Sequence, residues 1–153
     1  MEIIFRKATA KDKNALLDLL SARQEEANKL HSETGNSVHT QGAAMFDKLI
    51  GADNFCVFIG EQHGVIVATL TVYILPRIRL GGYFALFEDI LVTQDLRGQG
   101  IGKQLLQFAV EKMKNDPQIK KIKLGSRKNE TGLHEFYRNA GFIDKEKLFQ
   151  KTL

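Results

Sequence analysis

The spacing of hydrophobic residues along the chain predicts two kinds of element. Short runs with a period of about two residues predict strands, and longer runs that repeat at three and four residues predict helices. The predicted strands are residues 3–7, 54–59, 65–75, 83–92, 119–125, 142–145 and 147–152. The predicted helices are residues 9–22, 42–50, 99–115 and 130–140.

Three local signals define the ends of these elements. Thr9, with Asp12 three residues later, is a typical helix start, and Gly141 is a typical residue after a helix end. Pro76 lacks a backbone donor and is expected to end the pairing of the strand that contains it. Residues 21–41 are mostly polar, which predicts a long loop of the kind that often carries function.

The order of the predicted elements indicates the fold class. Strands that first run together and then alternate with helices predict a mixed sheet with helices on its faces, an α/β or α+β layered domain. A chain of 153 residues without repeats or linkers predicts a single domain over residues 1–153.

Composition narrows the class of protein. Hydrophobic residues make up 43% of the chain and charged residues 26%, which is typical of a globular protein, and no apolar segment has the length of a membrane span. The first residues do not resemble a signal peptide. Cys56 is the only cysteine, so no internal disulfide can form; we predict a buried, unreactive thiol and a cytoplasmic location.

A glycine-rich segment, residues 97–103, lies between a predicted strand and a predicted helix. Glycines let backbone N–H groups approach an anion closely, and a helix N-terminus favours negative charge, so the segment predicts a phosphate cradle. It is not a Walker loop, because Arg97 and Gln104 stand where that pattern requires Gly and Ser or Thr. It is not the dinucleotide pattern either, because Lys103 replaces the third glycine.

The segment does match an arginine-led R-x-x-G-x-G pattern, formed by Arg97, Gly100 and Gly102. A second motif, from Phe136 and Tyr137 to Gly141 and Phe142, has the form F-Y-x-x-x-G-F. Together the two motifs closely resemble those of the GNAT superfamily of N-acetyltransferases. The resemblance implies a mixed, mostly antiparallel, splayed central sheet flanked by helices, with acetyl-CoA as cosubstrate and no metal.

The resemblance also implies which residues bind acetyl-CoA. Backbone groups of Ile90, Leu91 and Val92 would pair with the pantetheine arm like an added strand. The pyrophosphate would be held by the loop that contains Arg97, Gly98, Gln99, Gly100, Ile101, Gly102 and Lys103. Many members carry an asparagine seven residues before the tyrosine; here Glu130 stands there and Asn129 is one residue early. Asn129 is therefore either a cofactor contact or a helix N-cap.

The catalytic candidates are Tyr137 and Glu88. By resemblance, the Tyr137 phenol would protonate the leaving thiolate, whereas its position on an apolar helix stripe would also suit a core residue. Glu88 and Asp89 interrupt an apolar strand, and adjacent residues serve one site only if a bulge intervenes. Glu88 is the predicted base, with Asp89 or a water chain as alternatives. A salt bridge from either carboxylate to Arg77 or Arg79 is the structural alternative.

These observations lead to one functional hypothesis and two rivals. The hypothesis is transfer of an acetyl group from acetyl-CoA to a primary amine, most simply a small molecule, by direct attack in a ternary complex. Residues 24–41 and the connection 77–82 are expected to line the acceptor side. The rivals are a non-catalytic acyl-CoA sensor and a nucleic-acid-binding domain, the second suggested only by the net charge of +4 and disfavoured by scattered basic residues. A homodimer is compatible with the sequence, and no metal or membrane partner is predicted.

Overall fold

The computed structural model describes residues 2–31 and 37–153. The chain divides into two compact units, residues 1–123 and residues 124–153. The first unit contains nearly the whole sheet and three helices, and the second contains the last helix and the C-terminal segment.

Five strands form one sheet in the order β1-β2-β3-β4-β5. Their bounds are β1 Ile4–Lys7, β2 Phe55–Gln62, β3 Val65–Arg77, β4 Gly82–Val92 and β5 Ile119–Leu124. The first four strands pair antiparallel with their neighbours. The N–H of Tyr83 donates to the carbonyl of Gln118 at 2.9 Å, so β4 and β5 start side by side. The mixed, mostly antiparallel sheet predicted above is confirmed.

Four α-helices flank or follow these strands. They are α1 Lys13–His31, α2 Ala43–Leu49, α3 Ile101–Lys114 and α4 Thr131–Asn139, and a π-helical turn, Val38–Gly42, precedes α2. The prediction of a loop from residue 21 was wrong, because α1 continues to His31. Residues 22–31 are mostly polar but contain no glycine or proline and are rich in good helix formers, so polarity alone does not indicate a loop there. The part of the predicted loop at residues 32–36 lies outside the described residues.

Alternation along the strands creates two apolar faces. Side chains in register on neighbouring strands point to the same side, so Phe55 and Val57 of β2 share one face with Tyr73 and Thr71 of β3. Phe55, Val57 and Ile59 pack there with Leu16 of α1 and Phe46 of α2. The opposite face includes Cys56, Phe58, Leu70, Val72, Ala85 and Phe87, all buried. The apolar stripe of α3, which is buried at Ile101, Leu105, Leu106, Ala109 and Met113, provides the third hydrophobic surface of this unit.

Cys56 is buried, as predicted, and carries a free thiol. Burial raises the pKa of this thiol, and Lys7 acts more weakly in the opposite direction. A buried thiol with a raised pKa is a poor nucleophile at neutral pH, so Cys56 is a packing residue.

Two further expectations about the strands were wrong. Pro76 does not end the pairing of β3, because Pro76 is in register with Tyr83 and Arg77 with Gly82 at the tip of the β3–β4 hairpin. No strand forms in residues 142–153. That segment contains four consecutive charged residues, Asp144, Lys145, Glu146 and Lys147, which break the alternation of a half-buried strand.

An ion-pair network joins β1 and β2 to the turn before α1. The Arg6 guanidinium donates to both carboxylate oxygens of Asp12, at 2.8 and 2.9 Å, and to Oε2 of Glu61 at 2.7 Å. The Asp12 carboxylate also accepts the backbone N–H of Thr9 at 2.7 Å, which confirms the predicted helix start. These hydrogen bonds, chiefly the one from Arg6, lower the pKa of Asp12 from 3.8 to about 2.

This network predicts an acid-dependent loss of stability. A lowered carboxyl pKa stabilises the folded state above the ordinary pKa, and that stabilisation is lost as the pH falls through about 2. With screening of the partly exposed Arg6, Asp12→Asn should lower the unfolding free energy at pH 7 by about 1–2 kcal/mol. Urea titrations from pH 7 to pH 2 should show that difference shrinking below pH 4. Asp53→Asn, at an exposed position, is the control; an equal effect of both variants would contradict the network.

Candidate active site

The site is built around a β-bulge in β4. Thr71 of β3 is in register with Glu88, but Thr69 is in register with Leu91, so Asp89 and Ile90 together oppose one residue of β3. Asp89 has a φ of 49°, in the left-handed region that residues with a Cβ rarely adopt. The strand is therefore locally strained at its acidic pair.

The bulge brings both carboxylates to one face. Glu88 shares the face of Thr71 by register, and Asp89 lines a cavity together with Thr71 and Tyr73. The Thr71 hydroxyl also hydrogen-bonds the Asp89 carboxylate. Glu88 and Asp89 are adjacent in a strand, so they can serve one site only if a bulge intervenes, and β4 contains that bulge.

This face carries two carboxylates, and no described side chain forms a salt bridge with either of them. Asp89 lies at an exposed position, but the surrounding groove removes part of the hydration of its carboxyl group and raises its pKa, while the bond from Thr71 acts in the opposite direction. Partial burial and then the charge of Asp89 raise the pKa of Glu88. Burial, followed by the charges of Asp89 and Glu88, raises the pKa of the Tyr73 phenol. Raised carboxyl pKa values are typical of groups that accept protons in catalysis.

The structural alternative for Glu88 was a salt bridge to Arg77 or Arg79, and no such bridge occurs in the described part of the chain. Arg77 lies at the hairpin tip opposite Gly82, six positions along β4 from Glu88, which is roughly 20 Å along a strand. The same distance separates the connection 77–82 from the bulge, which argues against its predicted place on the acceptor side.

A cavity of about 170 Å³, the α1–α2 groove, lies beside the bulge and is lined by residues of α1, the π-helical turn, α2 and strands β2, β3 and β4. Its wall contains Thr69, Thr71, Tyr73 and Asp89 on the sheet side. Thr69 is fully buried, and its Oγ1 has no hydrogen-bond partner in the described structure. Sequence reasoning missed the two threonines and Tyr73. Their signal was three polar-capable residues at alternate positions of an otherwise apolar strand.

The glycine-rich loop has the geometry of an anion cradle. Gly98 and Gly100 have φ values of 77° and 81°, and Gly100 is the N-cap of α3. A Cβ at Gly98 would meet nothing within 4 Å, and one at Gly100 only Nε2 of Gln104 at 3.9 Å, so both open onto free space. Among the described residues, no backbone carbonyl accepts from the N–H groups of residues 98–103. Unpaired N–H groups at the start of a long helix are suited to a phosphate.

Arg97 contacts protein groups in this structure, and its predicted contact with a phosphate stays a prediction. Its Nε donates to the carbonyl of Val92 at 2.9 Å, and its Nη2 donates to both carboxylate oxygens of Glu26 at 3.0 and 3.1 Å. The side chain therefore joins the end of β4 to α1. Glu26, absent from the sequence-based site, occupies the guanidinium fork that would otherwise face a phosphate.

The last residues of β4 extend beyond the end of β5, so their edge on that side is not paired with β5. β4 is 11 residues long and β5 only 6, and the two start side by side. At about 3.3 Å per residue, β5 ends before β4 reaches Ile90. The other edge pairs with β3 through Leu91 and Val92. The outer edge at Ile90 and Leu91 and at the N–H of Val92 thus lies beyond β5, where the family resemblance implies a strand-like ligand, while the Val92 carbonyl accepts from Arg97.

The second unit carries Tyr137 and Asn129. Tyr137 lies on α4, half-buried, with its ring 5.2 Å from that of Phe136 and 6.3 Å from that of Phe142. Gly141, at φ 88°, follows the helix end, and the N–H of Phe142 returns to the carbonyl of Tyr137 at 3.0 Å, so the predicted C-terminal cap is confirmed. The N-cap of α4 is Glu130, so the N-cap role considered for Asn129 was wrong. Asn129 lies exposed in the preceding turn.

In the described part of the chain, no three His, Cys, Asp or Glu side chains come together as a metal site would require. No described helix combines the length and hydrophobicity needed to cross a bilayer.

Comparison with known proteins places this geometry in a family. The family model described as "Acetyltransferase (GNAT) family" matches residues 16–142, which include the glycine-rich loop and the F-Y-x-x-x-G-F motif. The chain belongs to the GNAT acetyltransferase family. As a member, it is expected to be an acyltransferase. No curated protein matches the GNAT chain significantly.

Solved structures share the fold over the full chain. A putative acetyltransferase from Agrobacterium tumefaciens has a TM-score of 0.80 at 23% identity, covering 98% of this chain and 99% of that chain. Glucosamine-6-phosphate N-acetyltransferase from Arabidopsis thaliana has a TM-score of 0.76 at 23% identity, covering 99% of both chains. An aminoglycoside acetyltransferase from an uncultured soil metagenomic sample has a TM-score of 0.78 at 21% identity, covering 99% of this chain and 96% of that chain. At such identities the likeness shows the GNAT fold and not the acceptor.

Proposed function

We propose that the protein is an N-acetyltransferase that moves the acetyl group of acetyl-CoA to a primary amine by direct attack in a ternary complex. The observation that carries the proposal is the continuity of β4. Along β4, two carboxylates lie at a bulge and are followed by a strand edge that is available for pairing. The glycine-rich loop then leads into the start of α3, where an anion could bind. Family membership and a fold shared with acetyltransferases of small amines support it.

The residues that would hold acetyl-CoA fit the group in chemistry and shape. The N–H groups of residues 98–103 would bind the pyrophosphate, Gly98 and Gly100 leave room for it, and Lys103 adds a positive charge. Backbone groups of Ile90, Leu91 and Val92 would pair with the pantetheine arm. Acetyl-CoA supplies an acetyl thioester that an amine can attack. Arg97 is a positioning residue in this proposal, because it holds Val92 and Glu26 rather than open space.

The acidic pair would prepare the amine. A primary amine is an ammonium ion at neutral pH and must lose a proton before it can attack. Glu88 takes that proton at its carboxylate, directly or through water, and the raised pKa of Glu88 improves it as a base. Asp89, on the same face, stabilises the incoming positive charge.

Tyr137 would supply the proton that the departing thiol needs. A phenol Oη suits donation of a proton to a thiolate better than abstraction of a proton from an amine. Cys56 takes no part, since its thiol is buried and points to the opposite face of the sheet from Thr71 and Glu88. A cytoplasmic location, where acetyl-CoA is available, belongs to the same proposal.

The direct test is release of free thiol from acetyl-CoA in the presence of a panel of primary amines, with acetyl-CoA binding measured in parallel by calorimetry. Amine-dependent thiol release supports the proposal. Binding without turnover for any amine would favour the acyl-CoA sensor, and absence of binding would overturn the family-based assignment of the cradle.

Gly100→Val should abolish acetyl-CoA binding. A β-branched side chain at Gly100 would occupy the open space of the cradle, and the strain of its positive φ is also introduced. Gly64→Val is a matched control, because Gly64 has a φ of 79°, lies in the β2–β3 turn and also faces open space. Both variants should lose similar stability, about 1–3 kcal/mol, but only Gly100→Val should lose the melting shift produced by acetyl-CoA. Equal ligand shifts would place the cradle elsewhere.

Glu88→Gln should separate catalysis from stability. Since the folded-state pKa of Glu88 is raised, its favourable contribution exists below the ordinary pKa and is lost as the pH rises through the raised value. At pH 7 the glutamine variant should therefore melt at or above the wild-type temperature. Its turnover should fall by about 10²–10⁴ and recover as the pH rises and more of the amine is neutral. Glu111→Gln, on the exposed face of α3, is the control; a wild-type pH–rate profile in Glu88→Gln would leave Asp89 or a water chain as the base.

Tyr137→Phe should slow the chemical step by about 10²–10⁴ while the affinity for acetyl-CoA is retained. The relevant measurement is single-turnover thiol release, which product release does not limit. Tyr83→Phe, at the start of β4 and far from the bulge, is the matched control. A wild-type single-turnover rate would make Tyr137 a packing residue.

A further inference from the structure

The α1–α2 groove has two walls that differ in chemistry, one formed by helices and one by the sheet. Its helical wall is hydrocarbon, from Leu16, Leu17, Leu20, Met45, Phe46 and Leu49. Its sheet wall carries the hydroxyls of Thr69, Thr71 and Tyr73 and the carboxylate of Asp89, beside the apolar side chains of Phe55 and Val57. Among the described lining residues, Asp89 is the only charged side chain.

We propose that the acceptor is a small monocationic primary amine on an apolar body, with its ammonium group beside Asp89 and Thr69 and its hydrocarbon part between α1 and α2. This inference rests on the proposed function and adds the substrate class. Because Leu91 is in register with Thr69, the polar end of the groove adjoins the strand residues assigned to acetyl-CoA.

The first supporting observation is the unpaired hydroxyl of Thr69. Its Oγ1 is fully enclosed, lines the groove and has no partner within the described structure. A buried hydroxyl without a hydrogen bond is destabilising and calls for an explanation. An ammonium group carries three N–H donors, so it can bond a hydroxyl and a carboxylate together.

The second observation is the conformation of Asp89. A non-glycine residue with φ 49° persists only where surrounding structure holds it, and such outliers concentrate at functional sites. The bulge turns this carboxylate towards the groove, where it is partly desolvated and faces Thr71. A cation in the groove would restore the interaction that the carboxylate loses with water.

The same wall argues against two other kinds of acceptor. A sugar phosphate needs a basic side chain for its phosphate, and none occurs among the described lining residues. A polyamine or aminoglycoside carries several ammonium groups, whereas Asp89 is the one carboxylate among the described lining residues and Glu88 beside it is assigned to the reacting amine. At about 170 Å³ the groove is also smaller than the roughly 300–1,000 Å³ of pockets for drug-sized ligands.

The experiment measures kcat/KM for thiol release with 2-phenylethylamine, n-hexylamine, spermidine, tobramycin and glucosamine 6-phosphate, using the full chain and acetyl-CoA. We expect the two apolar monoamines to exceed the other three by at least about tenfold. Preference for spermidine, tobramycin or glucosamine 6-phosphate would overturn this inference and leave acetyl transfer standing. No thiol release with any amine would overturn both.

Two pairs of variants locate the amine. Thr69→Val replaces the hydroxyl with a methyl group of similar size. The variant should raise KM for 2-phenylethylamine about tenfold and retain its affinity for acetyl-CoA. It should also melt at or above the wild-type temperature, because an unpaired buried hydroxyl is destabilising. Met45→Lys adds a cation to the groove from an exposed position on α2, and Ala44→Lys adds one at the neighbouring exposed position that does not line the groove. Met45→Lys should raise KM for 2-phenylethylamine at least about tenfold and Ala44→Lys should not. Unchanged KM in Thr69→Val, or equal effects of the two lysines, would place the acceptor outside this groove.

Discussion

The architecture of the site depends on one extra residue in one strand. Between Thr69 and Thr71, β3 advances by two positions while β4 advances by three, from Glu88 to Leu91. In a regular ladder, adjacent carboxylates would point to opposite faces and one of them would enter the apolar layer beside Phe87, which is only 1% exposed. The bulge avoids that burial. It also shifts the register, so that Leu91 pairs with Thr69 and lies on the same face of the sheet.

The site includes features that work against stability. Asp89 holds an unfavourable φ, two carboxylates lie together without a described cation, and Thr69 has an unsatisfied hydroxyl. A cationic ligand in the groove would relieve the last two, while the φ of Asp89 is strain of the kind that concentrates at functional sites, which is the pattern expected when binding, rather than folding, determines the residues. The surrounding layers of Leu16, Leu70, Leu105 and Leu106 are fully buried and provide the compensation.

Arg97 connects the end of β4 to α1, the helix that forms one wall of the α1–α2 groove. It bonds the last residue of β4 and, through Glu26, the C-terminal half of α1. Arg97, the first residue of the R-x-x-G-x-G pattern, makes these hydrogen bonds to protein groups. The backbone N–H groups of residues 98–103 are left as the direct donors for an anion, which is consistent with a motif defined by glycines rather than by cations.

The sequence by itself determined the family, the order of the elements up to α4 and the glycine-rich loop, because each depends on local signals. Periodicity predicts strands and helices within one segment, and the glycines of residues 98–102 need left-handed or open backbone wherever that loop folds. The polar half of α1 was mistaken for a loop, since polarity alone does not distinguish a helix from a coil. The charged run at residues 144–147 likewise did not become a strand. Only the tertiary structure decided the chemistry of the α1–α2 groove and its surroundings. The bulge places Glu88 and Asp89 on one face, and two helices converge on Thr69. Arg97 pairs with Glu26, which is 71 residues away in the sequence. These arise from strand register and from packing between distant segments, and a single sequence carries no local signal for either.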